Sequence, residues 1–229
     1  MEVLYEDNHI IVVVKPQNVP SMPDESGDKD MLTMVKEYIK EKYNKPGNVF
    51  VGLVHRLDRP TGGIMVFAKT SKAASRLGEQ IKNGEFKKTY FAVCRGNFKD
   101  KSATLTNYLK KNEKTNTVSV VPMTTSGAKK AELIYKVLEE KEGFSLVEVK
   151  LLSGRGHQIR VQLSHIKCPI AGDQKYGGED MQKVALNLFA EELVFKHPTK
   201  EENLRFRAYP PEDKNYWKLF NLEKYINIK

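Results

Sequence analysis

Short runs of β-branched and aromatic residues bounded by turn residues dominate the first part of the chain, and this pattern predicts β-strands. Such runs cover His9–Lys15, Asn48–Val54, Gly63–Lys69 and Lys88–Arg95. Later segments predict two further pairs of adjacent strands: KAELIYKVLEE with FSLVEVKLL, joined by a turn at KEG, and NLFAEELVFK with NLRFRAYP. Apolar and polar residues alternate in the first of these pairs. It is therefore expected to be an antiparallel hairpin with one solvent-facing side.

Helical patterns are fewer, and capping residues mark where they begin. Asp30 precedes MLTMVKEYIKEKY, and Thr70 or Ser71 precedes KAASRLGEQIKN. Both segments therefore predict capped helices. A third helix is predicted in HQIRVQLSHI, where Ile159 and Leu163 share an apolar face.

The order of these elements predicts an α+β fold, because strands and helices are interspersed without strict strand–helix alternation. We expect a large mixed or antiparallel β-sheet flanked by helices and loops. KPQNVPSMPDESGDKD is proline-rich and lacks an apolar period, so it is predicted to be a surface loop. Neither a repeat nor a linker is evident, and residues 1–229 are predicted to form a single domain.

Basic residues are in excess and unevenly distributed. The chain of 229 residues has 38 Lys and Arg against 29 Asp and Glu, a formal charge of +9. Residues 69–101 alone carry nine basic residues against three acidic ones. The predicted second helix exposes Lys72, Arg76 and Lys82 in this region. This charge favours a polyanionic partner such as RNA, DNA or anionic lipid, although charge alone does not choose among them.

Several classes of protein are disfavoured by the composition. No apolar stretch approaches the length of a membrane span, and the acidic N-terminus is unlike a signal peptide, so a cytoplasmic protein is expected. Cys94 and Cys168 form no Cys-x-x-Cys pair, and the five histidines lack ligand spacing. No metal is expected, and a monomer is the default.

Two loops combine glycine with residues able to carry chemistry. In LVHRLDRPTGG, Asp58 lies between Arg56 and Arg59, an arrangement that suits an ionised nucleophile, or an anion, held near a bound backbone. The alternative is a turn aspartate bonded to its own backbone. In LLSGRGHQIRVQL, Arg155 lies between two glycines at the start of a helix, which suits a phosphate but also fits a simple strand-to-helix turn. Tyr90 follows Lys87 and Lys88 on a strand, where a packing role is the ordinary interpretation; alternation predicts that one of Tyr90 and Phe91 faces out.

Four motifs in order resemble the RluA-type pseudouridine synthases, which isomerise uridine to pseudouridine in structured RNA. HRLDRPTGG resembles the signature of that family, and YEDNHIIVVVKPQNVP resembles its opening strand and loop. KKTYFAV is similar to its tyrosine strand, and GRGHQIRVQLSHIKCPIAGDQKYGG to its Gly-Arg-Thr-His-Gln-Ile-Arg segment with the following Pro-x-x-Gly-Asp-x-x-Tyr-Gly. The resemblance implies the pseudouridine synthase fold and an isomerase that needs no cofactor.

Roles carried over by this resemblance make Asp58 the catalytic aspartate and Tyr90 the aromatic residue against the target base. Arg160 becomes the basic partner of the aspartate, and Arg56 the arginine that helps to displace the target nucleotide from its stack. The further residues expected to contact ribosomal or transfer RNA are Arg59, Arg155, His157, Lys72, Arg76 and Lys82.

Three positions depart from the family pattern: Gly62, Gly156 and Gln162 replace its usual Ser, Thr and a frequent His. Because they lie beside the key residues, they are expected to affect substrate contacts more than chemistry.

The chain also begins almost at once with the catalytic strand, so no separate RNA-binding module is expected. Two alternatives stay open: a non-catalytic RNA-binding or ribosome-assembly protein on the same fold, and an enzyme that acts on a phosphorylated small molecule.

Overall fold

The computed structural model describes residues 1–178, 184–211 and 215–226. Three α-helices are present in these ranges, α1 (Met31–Lys42), α2 (Ser71–Lys82) and α3 (Gln158–His165), with 3₁₀ turns at Asn215–Leu219 and Leu222–Lys224. The strands are β1 (Glu2–Glu6), β2 (Ile10–Lys15), β3 (Gly52–Leu53), β4 (Gly62–Ala68), β5 (Lys87–Arg95), β6 (Ser102–Asn112), β7 (Thr117–Val121), β8 (Lys129–Lys141), β9 (Phe144–Leu151), β10 (Leu188–Lys196) and β11 (Asn203–Arg207). The α+β prediction is confirmed.

The chain forms two compact units. The first comprises Met1–Phe86 and Ala190–Ala208, and the second comprises Lys87–Phe189 and Tyr209–Lys229. Strands of the first unit follow the order β1-β2-β4-β10, with β3 beside β4 and β11 beside β10. Those of the second follow the order β5-β9-β8-β6-β7. That residues 1–229 form a single domain stays a prediction.

The core of the first unit is built on two strands that are buried on both faces. Every residue of β4 is buried, and β2 is buried except at Val14. The two strands pair antiparallel, with Ile10 opposite Ala68 and Lys15 opposite Gly63. Unbroken apolar runs in the sequence suit such doubly covered strands.

Both predicted N-terminal caps of helices are present. Asp30 accepts a hydrogen bond from the Thr33 amide at the start of α1. At the start of α2, Thr70 rather than Ser71 is the cap, and it accepts from the Ala73 amide. These contacts satisfy amides that lack partners inside the helix, so each helix begins where the sequence predicts.

In the second unit the predicted hairpin is formed by β8 and β9. Residues of β8 alternate, with Ala131, Leu133 and Tyr135 buried between more exposed neighbours. The buried face meets α3, where Val161 packs with Ala131 in an apolar cluster that also contains Leu109. This packing fixes the helix that follows the Gly-Arg-Gly turn.

Other sequence predictions need correction. The strand expected over Asn48–Val54 is reduced to Gly52–Leu53, and β1, β6 and β7 were not predicted. Tyr90 and Phe91 are both buried, at 5% and 1% exposure, because both faces of β5 are covered. The segment predicted as a surface loop begins with the buried Lys15.

None of the helices in the described ranges has the length and apolar character needed to span a lipid bilayer.

Candidate active site

The loop that carries Asp58 lies between β3 and β4 in the first unit and is held by the segment that follows β2. The Ser21 hydroxyl donates to the Leu57 carbonyl (2.7 Å) and accepts from the Leu57 amide (3.1 Å). Gln17 donates to the Pro60 carbonyl at 3.2 Å. Within the loop, the Thr61 amide donates to the carbonyl of the half-buried Asp58 at 3.0 Å. Both ends of the Asp58 turn are thereby fixed.

Lys15, the last residue of β2, is buried and contacts the Asp58 loop. Its ammonium donates to the carbonyls of Val19 (2.6 Å), Pro16 (3.0 Å) and Arg59 (3.0 Å). Burial lowers the pKa of Lys15 to about 7, against a raising effect of the Asp58 charge and a lowering effect of Arg59. The side chain therefore ties the start of the segment to the residue after Asp58 and responds to the charge of that carboxyl.

Two features hold the ends of the loop against neighbouring strands. His55 Nε2 accepts from the Val66 amide at 3.1 Å, and the imidazole packs on Phe86. Gly63 has a φ of +127°, and a Cβ there would lie 2.4 Å from the backbone N and O of Ala190. Only glycine fits this close approach.

Arg59 and Arg56 flank Asp58 and are both exposed. The Arg59 guanidinium donates to the Ser26 hydroxyl at 2.8 Å and is paired with Asp28, with Asp24 at 3.7 Å. The acidic loop at 24–28 thus occupies an arginine that the sequence predicts to contact RNA.

The predicted basic residues of α2 are exposed, as their helical positions require. Lys72, Arg76 and Lys82 all lie on the outer side of this helix, away from the buried Ala73 and Leu77. Arg76 also donates to the Pro198 carbonyl at 2.6 Å.

In the second unit, Tyr90 lies on β5 opposite Val149 of β9. Lys88, two residues earlier, belongs to the same face of the strand, and burial lowers its pKa. The Lys88 ammonium would lie 3.6 Å from a Cβ at Gly154. The tyrosine strand and the Gly-Arg-Gly turn are therefore neighbours.

The turn enters α3 through residues that satisfy its free backbone groups. His157 is left-handed, with a φ of +52°. The Gln158 side-chain oxygen accepts from the Arg155 amide (3.0 Å) and from the Ser153 hydroxyl (2.8 Å). Arg155 is exposed, and its Nε donates to the Lys130 carbonyl at 3.0 Å.

Arg160 is buried and forms a bidentate ion pair with Asp173. Arg160 Nε donates to Asp173 Oδ2 at 2.8 Å, and one terminal nitrogen donates to Oδ1 at 2.7 Å. The guanidinium also lies over the Tyr176 ring, 5.2 Å from its centroid. The pairing with Asp58 implied by the resemblance stays a prediction.

A model of the RNA pseudouridylate synthase family matches residues 9–165, more than half of the chain. The chain belongs to this family. This synthase is therefore an isomerase, and the resemblance seen in the motifs is confirmed.

Relatives of this synthase are similar over most of its length. The protein named uncharacterized RNA pseudouridine synthase YhcT, from Bacillus subtilis, is 33% identical over 94% of this chain and 70% of its own. Ribosomal large subunit pseudouridine synthase D of Yersinia pestis is 32% identical over 93% of this chain and 68% of its own. The solved structure of human RNA pseudouridylate synthase domain containing 4 has a TM-score of 0.77 at 23% identity, covering 93% of this chain and 89% of that one. It shares the fold.

Sequence reasoning missed residues that hold the site rather than carry its chemistry. Lys15 and Ser21 stand in a stretch that looks like an ordinary loop, and only the fold shows that they bind the Asp58 turn. Asp173 and Tyr176 lie in the motif that follows the Gly-Arg-Gly turn, and the resemblance assigns them no role. Gln162 is fully buried and donates to Asn107 at 2.8 Å, so this departure from the family pattern lies in the packing of α3.

Proposed function

We propose that this synthase converts specific uridines to pseudouridine in structured ribosomal or transfer RNA, with Asp58 as the catalytic aspartate. The observation that carries the proposal is the Asp58 turn, which stands in the family signature and is pinned by Ser21, Gln17 and Lys15. A reacting carboxylate needs a fixed backbone beneath it, and these bonds to the carbonyls of Leu57, Arg59 and Pro60 supply one. The Yersinia pestis relative is named for the large ribosomal subunit, so ribosomal RNA is the first substrate to test.

The reaction needs no external group. The N1–C1′ bond of uridine breaks, a C5–C1′ bond forms, and the hydrogen on C5 is lost to solvent while N1 gains a proton. A base inside an RNA helix is inaccessible, so the target must first be flipped out. Because atoms and electrons balance within the substrate, we propose that neither a cofactor nor a metal takes part.

The roles follow the motif positions. Asp58 forms a transient bond to the flipped nucleotide, at C1′ or at C6, or removes a C2′ proton to give a glycal. Arg160 is the basic partner that keeps the carboxylate ionised and oriented. Tyr90 stacks on uracil, and Arg56 takes the space that the base leaves.

Binding is assigned to the exposed basic groups. Arg59, Lys72, Arg76 and Lys82 of the first unit and Arg155 and His157 of the second are proposed to contact RNA phosphates, which position the substrate without choosing the uridine. The enzyme is proposed to act as a cytoplasmic monomer.

The test is tritium release from RNA labelled at uridine C5, prepared from cells that lack this gene so that the target is unmodified. Wild type should release tritium from the ribosomal or the transfer fraction. Asp58→Ala should release none while its affinity for RNA stays within a few-fold, because the carboxylate is needed for bond making rather than for binding.

Glu37→Gln is the matched control, because it removes an exposed carboxylate of the same unit that pairs with Lys29. It should retain full turnover. Release by Asp58→Ala at the wild-type rate would contradict the proposal. Binding without release by wild type, from every fraction, would favour a non-catalytic RNA-binding protein.

A further inference from the structure

Asp173 is buried at 1% exposure and uses both of its oxygens. Oδ2 accepts from Arg160 Nε, and Oδ1 accepts from an Arg160 terminal nitrogen and from the amides of Lys175 (3.0 Å) and Tyr176 (3.1 Å). A single carboxylate therefore holds the guanidinium and also shapes the turn that presents Tyr176.

Tyr176 supports the same guanidinium from the ring side. Its ring lies under Arg160 at 5.2 Å, and its hydroxyl accepts from the Val118 amide (2.9 Å) and is hydrogen-bonded to His157 Nδ1 (2.7 Å). Ser164 holds its carbonyl at 2.7 Å. With both its backbone and its hydroxyl held, the side chain presents one ring face to the guanidinium.

We propose that Asp173 and Tyr176 are positioning residues for catalysis, acting through Arg160. This inference rests on the proposed function, in which Arg160 is the partner of the catalytic aspartate. The two hydrogen bonds to Asp173 fix the direction of the guanidinium within its plane. The ring of Tyr176 fixes the orientation of that plane. Both constraints are specific to a planar cation and would be lost with lysine.

Packing alone does not explain the buried ion pair between Arg160 and Asp173. A buried ion pair contributes little to net stability compared with apolar residues of the same volume. Its distinctive property is a defined direction for the charge. A misplacement of about 1 Å at a reacting group is enough to lower a rate about 100-fold.

The test compares single-turnover tritium release and RNA affinity for Asp173→Asn, Arg160→Lys and the double variant. Asp173→Asn keeps an oxygen for the two turn amides but loses the charge and the bidentate contact with Arg160. It should lower the rate at least tenfold with affinity within twofold. Because both changes act on one guanidinium, the single-turnover rate of the double variant should be within about threefold of the rate of Arg160→Lys.

Tyr176→Leu and Tyr176→Phe provide a second route that keeps the ion pair. Leucine removes the ring and should lower the rate severalfold, whereas phenylalanine keeps the ring and should lose less. Glu140→Gln, which changes an exposed carboxylate paired with Lys101 in the same unit, is the matched control and should match wild type. Thermal melts identify any variant that does not fold.

The possible results separate the two proposals. If Arg160→Lys is slow but Asp173→Asn has the wild-type rate, the positioning role alone is overturned. The same follows if the rate losses of the two single variants multiply in the double variant. If Asp173→Asn does not fold, equal rates for Tyr176→Leu and wild type would overturn it. A wild-type rate in Arg160→Lys overturns the positioning role together with the assigned role of Arg160. Absence of release by wild type would overturn the proposed function and, with it, the catalytic purpose of the pair.

Discussion

Lys15 is a buried ammonium beside a carboxyl, and its titration reports the charges of the candidate site. Burial lowers its pKa to about 7, while the Asp58 charge raises it and that of Arg59 lowers it. In a ¹³C NMR titration of the lysine ε-carbons, Lys15 should therefore titrate near pH 7. Asp58→Asn should move its midpoint to lower pH, and Arg59→Gln should move it to higher pH. A midpoint near the ordinary lysine value of about 10.4 would contradict the prediction.

The same shift sets a sign for stability. Since the folded pKa of Lys15 lies below its unfolded value, the unfolded chain binds more protons at this group between about pH 7 and pH 10. The contribution of Lys15 to stability therefore rises with pH across that window and is flat below it. Urea unfolding of wild type and Lys15→Met should show a pH-dependent difference of this sign.

Gly63, the second residue of β4, follows the Asp58 loop and leaves no room for a side chain. A Cβ there would lie 2.4 Å from the Ala190 backbone, at a φ of +127°. Gly63→Ala should lower the free energy of unfolding by about 3 kcal/mol or more, because strain and overpacking add. Gly156→Ala, where a Cβ meets nothing within 4 Å, should change it by no more than about 0.5 kcal/mol in urea unfolding. Equal effects of the two changes would contradict this account.

The acidic loop at 24–28 is an element whose effect on RNA binding can be tested. It holds the Arg59 guanidinium through Ser26 and Asp28. If Arg59 contacts RNA as proposed, phosphate competes with these groups, and Asp24→Asn with Asp28→Asn should raise RNA affinity a few-fold. The slope of log K against log salt should become steeper by up to about 1, because one more cation is available to phosphate. Filter binding over a salt series measures both, and an unchanged slope would contradict the competition.

Elements with strong local signals could be predicted from the sequence, and the others could not. Asp30 and Thr70 mark helix starts through contacts within four residues of the chain. β6 has a mixed polar pattern and is stabilised by pairing with β7 and β8, so nothing local distinguishes it from a loop. Asn48–Val54 shows the reverse case, because an apolar run there pairs with β4 only at Gly52 and Leu53.

The candidate site divides in the same way at the scale of the molecule. Asp58, Tyr90 and Arg160 could be proposed from the sequence because each stands in a contiguous motif. The residues that contact these motifs could not be predicted. Lys15 bonds to Arg59 across 44 positions of sequence, and the turn that brings Asp173 to Arg160 depends on tertiary contacts. Candidate catalytic residues can thus be proposed from local sequence, while the contacts that hold them depend on the completed fold.

The net charge of the whole molecule predicts salt-dependent RNA binding, and its distribution predicts which lysines matter. Replacing Lys72 and Lys82 of α2 by Gln should reduce the salt slope by about 1 for each lost phosphate contact. Lys36→Gln with Lys40→Gln on α1 is the matched control, since both residues are exposed in the same unit and the change in net charge is identical. If binding follows net charge alone, the two double variants will lose affinity and slope equally. A larger loss for the α2 variant, with tritium release at saturating RNA unchanged, would place the phosphate contacts on α2 and separate substrate capture from the chemical step.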